Sequence, residues 1–305
     1  MGILVDESTR IIVQGITGRE ATTLTRQSLD YGAKIVAGVT PGKGGSRVYD
    51  VPVYDTIGQA LADHRADVSI ISAPAAAVRD AALEAIGNGL RLILIITERI
   101  PRQDVAEVLA FARLAGTRII GPNSLGLIVP GRVKIGMIGG PAADVRRAYT
   151  PGPVAVLSRS GGMTTEIANL LSQNGIGQSC CISVGGDPIV GSTFSDLLPL
   201  LEEDQATEAV VIYGEPGGGA EEALADLVTA RRLRLPILAF IGGRFVDQMQ
   251  GQRFGHAAVM VEGNRGSAAG KIVALRRAGI IVADRLSDVP TLVAQALHRR
   301  MTVGG

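Results

Sequence analysis

Three glycine-punctuated segments of the chain carry residue types that bind phosphate groups, and the first spans residues 14–21. It follows a run of β-branched residues, and its Gly15, Gly18 and Ala21 fit the pattern G-x-x-G-x-x-[G/A]. This is a variant of the strand–turn–helix loop whose backbone N–H groups meet a pyrophosphate at a helix N-terminus. The spacing predicts a site for a phosphate ester, and a tight turn without a ligand is the alternative.

The second segment, Pro41-Gly42-Lys43-Gly44-Gly45, puts one of only four lysines into a glycine-rich turn. We expect Lys43 to face another phosphate group, with a solvated loop lysine as the alternative. An NAD site would need a carboxylate ~20 residues after the first loop, and none is present there. The turn is not a Walker A loop either, because Gly44 replaces Ser or Thr. A ligand with several phosphates suits the two segments better than NAD.

The third segment, Ser158-Arg159-Ser160-Gly161-Gly162, also leads from a β-branched run into a helical pattern. Ser160 is a natural N-cap, and the glycines leave backbone N–H groups exposed at the positive end of the helix. A phosphate or a developing oxyanion would be held there. A capped helix that binds nothing is the alternative.

His256 is the histidine whose setting suits chemistry best. It lies between Gly255 and Ala257, and small neighbours leave an imidazole accessible to two partners in turn, as a nucleophile requires. His64 lies in a polar stretch and His298 in a basic C-terminal helix, so we expect both to be solvated.

The elements that must position these residues follow from an alternation of β-branched runs and helical patterns. Fully apolar strands in such an alternation predict parallel sheets covered on both faces, an α/β fold. The pattern lapses between residues 121 and 152, so we predict domains at 1–122 and 153–305 with a linker at 123–152. The predicted strands are 11–14, 35–39, 68–71, 92–96, 119–120, 154–157, 180–184, 209–213, 237–241 and 280–282, and the helices of the first half are 20–29, 56–62, 78–86 and 103–114.

Composition argues against several classes of protein. A net charge of +1, 3% aromatic residues and no Trp disfavour nucleic-acid binding. The longest apolar stretch, 92–96, is far shorter than a membrane span, and the first residues do not resemble a signal peptide. Cys180 and Cys181 are adjacent, so a disulfide bond between them could not join distant segments of the chain, and no cysteine and histidine spacing typical of a zinc site exists. We expect a cytoplasmic protein without a metal site, a membrane or a nucleic-acid partner.

The motifs, taken in order, resemble the succinyl-CoA synthetase (succinate–CoA ligase) α subunit family over essentially the whole chain. The segments that carry the resemblance are Gly15-Ile16-Thr17-Gly18, Val39-Thr40-Pro41-Gly42-Lys43-Gly44-Gly45, Ile96-Thr97-Glu98, Gly121-Pro122-Asn123, Ser158-Arg159-Ser160-Gly161, Gly185-Gly186-Asp187-Pro188, Gly214-Glu215 and Phe254-Gly255-His256-Ala257.

The resemblance implies a Rossmann-like CoA-binding domain followed by a flavodoxin-like domain that carries a phosphohistidine. It implies an acid–thiol ligase of the tricarboxylic acid cycle that forms succinyl-CoA from succinate, coenzyme A and ATP or GTP through an acyl phosphate. It also implies a β subunit with an ATP-grasp fold, which holds the nucleotide and Mg.

The resemblance also implies a role for each site residue. His256 would be phosphorylated and Glu215 would hydrogen-bond its ring. The CoA-site residues would be Gly15, Thr17, Gly18, Arg19, Glu20, Lys43, Ile96, Thr97, Glu98 and Asn123. The phosphate or substrate residues would be Ser158, Ser160, Gly161, Gly162 and Thr165.

The chain departs from that family near the expected substrate site. Thr165 stands where the family has a Tyr, Ser124 where many members have Cys, and Arg99 where many have Gly. Several segments, among them the run 158–163 and Gly191-Ser192-Thr193-Phe194, resemble ATP-citrate lyase and citryl-CoA synthetase. Succinate is the first prediction for the acid; citrate or malate, activated by the same mechanism, is the alternative.

Other classes of function remain as alternatives. A protein that senses CoA without catalysis would not depend on His256. A serine hydrolase would use the chain order Ser160, Glu215, His256, yet G-x-S-x-G fails because Ser158 replaces its first Gly. A nicotinamide oxidoreductase lacks its ribose carboxylate. The sequence leaves open the acid, the nucleotide, the oligomeric state and the role of the two cysteines.

Overall fold

The computed structural model describes residues 3–230, 233–244 and 266–303, the last three by their backbone alone. The elements of the first part are β1 (Arg10–Gln14), α1 (Arg19–Tyr31), β2 (Lys34–Val39), β3 (Arg47–Val48), β4 (Val51–Tyr54), α2 (Ile57–Asp63), β5 (Val68–Ile71), α3 (Val78–Gly87), β6 (Leu92–Ile95), α4 (Arg102–Ala115) and β7 (Arg118–Ile120).

The second part continues with β8 (Gly126–Val129), β9 (Val133–Gly136), α5 (Ala142–Ala148), β10 (Pro151–Ser158), α6 (Gly161–Gln173), β11 (Gln178–Ser183), α7 (Phe194–Glu203), β12 (Ala209–Gly214), α8 (Ala220–Ala230), β13 (Ile237–Ile241), α9 (Ala268–Arg277), β14 (Ile281–Ala283) and α10 (Val289–Val303). Among the helices of these residues, none has the length and apolar composition needed to cross a bilayer.

The first sheet has the strand order of a Rossmann fold. Its seven strands lie in the order β3-β4-β2-β1-β5-β6-β7, and all neighbours are parallel except the short edge pair β3 and β4. The strand order reverses between β1 and β5, because the chain first adds β2 and β4 on one side of β1 and then adds β5, β6 and β7 on the other side of β1. Open α/β sheets bind ligands at such a switch point.

The second sheet lies in the order β14-β13-β12-β10-β11-β8-β9. Its five parallel strands, numbered from β10 along the chain, have the order 5-4-3-1-2, which is that of flavodoxin-like folds. The predicted α/β fold with a Rossmann-like and a flavodoxin-like half is therefore confirmed.

The segment predicted as a linker is regular structure. Within residues 123–152, β8 and β9 form an antiparallel hairpin that extends the second sheet, and α5 packs on α6. No strand or helix was predicted there, because these strands are short and glycines bound them, so that no period is visible in the sequence. The domain boundaries themselves stay a prediction.

The hairpin also joins the two halves. Helix α1 packs on β9, where the Ser28 hydroxyl donates to the Gly136 carbonyl at 3.4 Å and the Gly131 N–H donates to the Tyr31 hydroxyl at 3.0 Å. One apolar core runs through this contact, from Leu24 of α1 to Ile135 of β9 and on to Leu157 of β10. Continuous packing of this kind fixes the carboxyl edge of one sheet relative to the other.

The two cysteines lie on opposite faces of β11. Cys180 packs into the core shared with the first sheet and Cys181 into the core beneath α5 and α6. Burial raises the pKa of Cys180 to about 12 and that of Cys181 well above its ordinary value. Both are free thiols that pack as apolar side chains.

Candidate functional site

The predicted CoA-site residues at 15–20, 43 and 96–98 lie on neighbouring loops at the carboxyl edge of the first sheet. The loop after β1 contains Gly15 and Gly18, that after β2 contains Lys43, and that after β6 contains Thr97 and Glu98. Because β2, β1, β5 and β6 are consecutive in the sheet, the loops line one edge around the switch point. The edge is open to solvent at Thr17, Arg19, Glu20, Lys43 and Glu98, whereas Ile96 is buried.

Gly15 is required by a close approach of two backbones. Its φ is +78°, and a Cβ there would lie 2.3 Å from the carbonyl oxygen of Ser72 in the loop after β5. Helix α1 then begins at Arg19 with Gly18 as its N-cap, and no side chain caps it. The first N–H groups of α1 are therefore open toward the switch point, the arrangement that binds a pyrophosphate.

Side chains and turns tie the other loops to this edge. The Thr17 and Thr40 hydroxyls lie 3.3 Å apart, and the Thr97 hydroxyl donates to the Ala73 carbonyl at 2.7 Å. The Gly44 N–H donates to an Asp55 carboxylate oxygen at 2.9 Å, which orders the turn that carries Lys43. The loop 72–74, which bonds to two of the predicted segments, was missed from the sequence because it contains no charged residue and no glycine.

The predicted phosphate segment follows β10 and opens α6 as expected. The Ser160 hydroxyl accepts from the Met163 N–H at 3.4 Å, which confirms Ser160 as the N-cap. Ser158 is fully buried, and its hydroxyl bonds both the N–H and the carbonyl of Ser160 at 3.1 and 2.7 Å. Ser158 therefore shapes the turn, while the exposed start of α6 is left to meet a ligand.

The two glycines of this turn differ in their surroundings. A Cβ on Gly161 would lie 2.3 Å from the Leu125 side chain, whereas a Cβ on Gly162 would meet nothing within 4 Å. Gly161 thus allows α6 to pack against the β8 hairpin, and Gly162 leaves room above the helix N-terminus. One turn later, the Thr165 hydroxyl lies 2.7 Å from the hydroxyl of buried Tyr149. One hydrogen bond of the Thr165 hydroxyl is therefore made within the protein.

Glu215 lies beside this turn at the edge of the same sheet. It follows β12, the neighbour of β10, and the Arg159 N–H donates to the carbonyl of Tyr213 at 3.3 Å. The Glu215 N–H donates to Oε1 of Glu221 at 3.3 Å. Burial, then the negative charges of Glu215 and Glu221, raise the pKa of the Tyr213 phenol to about 12, so Tyr213 stays neutral beside the carboxylates.

Asn123 joins the two edges. With φ at +56°, its N–H donates to the Thr97 carbonyl at 3.0 Å and its side-chain amide donates to Oδ1 of Asp187 at 2.9 Å. The Asp187 carbonyl in turn accepts from the guanidinium of buried Arg159 at 3.0 Å. A short chain of hydrogen bonds therefore runs from the Thr97 loop to Arg159, the residue before Ser160. Within this chain the side-chain amide of Asn123 is bound to Asp187.

The predicted nucleophile lies outside the described residues. His256 falls in the stretch 245–265, between Arg244 and Gly266, and its predicted role stays a prediction. Gly266, the first described residue after it, accepts a hydrogen bond from the loop that follows Glu215: the Gly217 N–H donates to the Gly266 carbonyl at 2.7 Å.

Comparisons with known families match one family model to each half of the chain. The model of the CoA binding domain matches residues 6–99, and that of the CoA-ligase domain matches residues 157–281. The chain is 45% identical to the succinate–CoA ligase [ADP-forming] subunit alpha 1 of Archaeoglobus fulgidus, over 98% of this chain and 99% of that protein. The chain belongs to the family of succinate–CoA ligase α subunits. It is an acid–CoA ligase chain, and its CoA-binding domain precedes its ligase domain.

One further relative and one solved structure are similar to this α subunit. It is 43% identical to the succinate–CoA ligase [ADP-forming] subunit alpha of Methanothermobacter thermautotrophicus, over 94% of each chain. Its fold matches ATP citrate lyase from Methanothrix soehngenii, solved with citrate and coenzyme A, with a TM-score of 0.90 and 26% identity. That match covers 99% of this chain and 51% of the lyase chain, so this chain spans about half the length of the lyase.

Proposed function

We propose that the chain is the α subunit of an ADP-forming succinate–CoA ligase, and that it binds CoA at one sheet edge and transfers phosphate at the other. The observation that carries this proposal is a pair of helix N-termini on two sheets that share one core: α1 begins at Arg19 without a side-chain cap, and α6 begins at Gly161, where Ser160 caps only the Met163 N–H. Each terminus offers N–H groups to a phosphate, and the Asn123 bridge links the loops beside them.

The carboxyl edge of the first sheet, which we call the CoA edge, has the N–H donors and basic side chains that a polyphosphate ligand needs. The N–H groups of the turn 15–18 and the first turn of α1 would bind the pyrophosphate. The exposed side chains of Arg19 and Lys43 would neutralise charge on the phosphates. Thr97 and Glu98 would contact the same ligand from the loop after β6.

At the carboxyl edge of the second sheet, which we call the ligase edge, the reaction would proceed by three transfers. A ring nitrogen of His256 attacks the γ-phosphorus of ATP, and ADP leaves. A carboxylate oxygen of the acid then attacks phosphorus, the phosphorus–nitrogen bond breaks, and an acyl phosphate forms. The CoA thiolate finally attacks the acyl carbon and expels inorganic phosphate. Each transfer replaces part of one difficult condensation.

The protein groups at that edge would act on the travelling phosphoryl group. The N–H groups at Gly161 and Gly162 would hold its oxygens, as preorganised donors do for a developing negative charge. The Glu215 carboxylate would accept from one ring nitrogen of His256 and leave the other to attack phosphorus.

A second chain is part of the proposal. The name "subunit alpha" of the relatives supports a β partner, on which we place the ATP-grasp fold, the ATP or GTP and its Mg²⁺. We expect the assembly to be cytoplasmic. Succinate is the first choice of acid because the α subunits reported above are named for it.

Citrate is the competing substrate, and malate is a weaker competitor. The lyase whose fold matches this chain was solved with citrate and coenzyme A, and Thr165 is smaller than the Tyr of the family. A smaller side chain at the start of α6 would leave space for a bulkier acid. The substrate must therefore be measured with all three acids.

The test labels the complex of this chain with its β subunit, using ATP that carries radioactive γ-phosphate. We expect an acid-labile label that maps to His256, is absent from H256N and is retained by H64N, the matched histidine control. A chase with CoA and succinate should discharge the label, while CoA with citrate or malate should not. A complex that binds CoA and ATP but takes up no label would refute the proposed mechanism, and a CoA-sensing role would then be favoured.

A further inference from the structure

Two of the four lysines of the chain are completely buried, and one of them, Lys271, lies beside the loop that carries Glu215. Its ammonium group forms an ion pair with Oε2 of Glu221, and both side chains have an exposed fraction of 0%. The two residues are fifty positions apart, on α9 and in the first turn of α8.

The pair contacts the Glu215 loop at two points. Oε1 of Glu221 accepts from the Glu215 N–H at 3.3 Å, and the same side chain packs so closely on Gly214 that a Cβ there would lie 2.5 Å from Oε1. The Lys271 ammonium donates to the Gly217 carbonyl at 2.8 Å. The backbone on both sides of Glu215 is therefore held by one buried ion pair.

Glu222 links the ion pair of Lys271 and Glu221 to Gly266, the residue that follows the stretch 245–265. Its Oε1 accepts from the Gly266 N–H at 2.9 Å, and the Gly217 N–H donates to the Gly266 carbonyl at 2.7 Å. Its Oε2 lies 3.9 Å from the Lys271 ammonium and has no hydrogen-bond partner among the described residues. The loop after β12 and the start of α9 are thus joined around one cation.

The energetics of burial argue that this cluster has a function besides stability. Removing two charges from water costs so much that a buried ion pair often stabilises a fold no better than apolar side chains of similar volume. Such a pair can nonetheless impose one geometry, because each partner requires its charge and its hydrogen bonds to be matched.

We propose that Lys271 and Glu221 are positioning residues for phosphoryl transfer, which hold Glu215 in the orientation that its carboxylate needs. The inference rests on the proposed function, because it assigns Glu215 to the reacting histidine. A displacement of a reacting group by about 1 Å can cost about 100-fold in rate.

The experiment uses the double variant E221L/K271M in the complex with the β subunit. Removing both charges leaves neither Lys271 nor Glu221 buried alone, and Glu222, which is 14% exposed, keeps its hydrogen bond from the Gly266 N–H. The fold is therefore expected to survive, which thermal unfolding checks. The single-turnover rate of protein labelling from γ-labelled ATP should fall about 100-fold. The Kd for CoA, bound at the other sheet, should stay within twofold of the wild-type value. The control R79M/E107L, which removes the ion pair between α3 and α4, should change neither quantity by more than twofold.

Positioning through Glu215 is separated from general damage by a double-mutant cycle. If the pair acts through Glu215, E221L/K271M should cause little further loss in an E215Q background, because the group that it positions is already gone. The conservative variant K271R should retain part of the rate by keeping the charge.

Three outcomes overturn the inference. Wild-type labelling by the folded E221L/K271M complex overturns the inference alone, and so does a loss that adds fully to that of E215Q. A wild-type complex that takes up no label overturns the proposed function, and the inference falls with it.

Discussion

Substitution of the two adjacent glycines at the start of α6 should have opposite consequences. Gly161 faces the Leu125 side chain, whose Cγ, Cδ1 and Cβ would lie 2.3, 2.4 and 2.8 Å from an added Cβ. Even the Cβ of Leu125 is too close, so a rotamer change cannot relieve the contact and the helix or the hairpin must move. Gly162 is exposed, and an added Cβ there would enter open space.

The magnitudes follow from this geometry. One methyl group forced into a packed contact costs about 1–3 kcal/mol, so G161A should unfold at lower denaturant concentration and lose about 2–10 °C in Tm. G162A should stay within about 1 kcal/mol of the wild-type stability, because Ala favours helix over Gly. Its methyl group nevertheless occupies the space above the helix N-terminus, so phosphoenzyme formation should fall by about 100-fold, as when one oxyanion donor is lost.

Equilibrium unfolding in urea, followed by circular dichroism, and single-turnover labelling of the complex measure the two effects separately. L125A should couple to G161A, since the double variant removes most of the clash and should lose less stability than the two single losses together. The reasoning is refuted if G161A is as stable as the wild type, or if G162A destabilises the fold as much as G161A does.

Three further predictions concern stability. G15A should cost at least about 2 kcal/mol, since its Cβ would lie 2.3 Å from the Ser72 carbonyl oxygen at a φ of +78°; G42A, at φ +75° with open space around it, should cost only about 1 kcal/mol of backbone strain. R99G should stabilise the fold by up to about 1 kcal/mol in urea unfolding, because Arg99 has a φ of +59°, which glycine adopts more readily. Burial lowers the pKa of Lys134 from 10.5 to about 8, so between pH 8 and 10.5 Lys134 binds a proton in the unfolded chain that it lacks in the folded chain. The free energy of unfolding of the wild type minus that of K134M should therefore rise by about 3 kcal/mol across that window, a difference in which the opposite effect of the buried cysteines cancels.

Each of these predictions has an outcome that would contradict it. Equal losses for G15A and G42A would show that the close approach to Ser72 is not what requires Gly15. A loss of stability in R99G would mean that contacts of the arginine outweigh its backbone strain. Parallel pH profiles for wild type and K134M would show that Lys134 titrates normally despite its burial.

Much of the fold was predictable from the sequence because its signals are local. The strands at 68–71 and 237–241 were predicted at their observed bounds, since each is a short apolar run between turn residues. Ser160 was predicted as an N-cap from its place before two glycines, and the structure confirms it. The hairpin at 126–136 and the short strands β3 and β4 were missed, because β3 has only two residues and a glycine, proline or lysine interrupts the apolar run of each of the others.

The sequence by itself determined that the chain alternates strands and helices, and that glycine-rich turns begin the helices at Arg19 and Gly161. Those properties depend on residues within one or two turns of each other. Only the tertiary structure decided that the Ser72 carbonyl lies against Gly15, and that Lys271 reaches Glu221 across fifty residues. Strand order brings such groups together, and it depends on the packing of whole elements. Burial of a charged side chain likewise becomes visible only when its distant partner is in place.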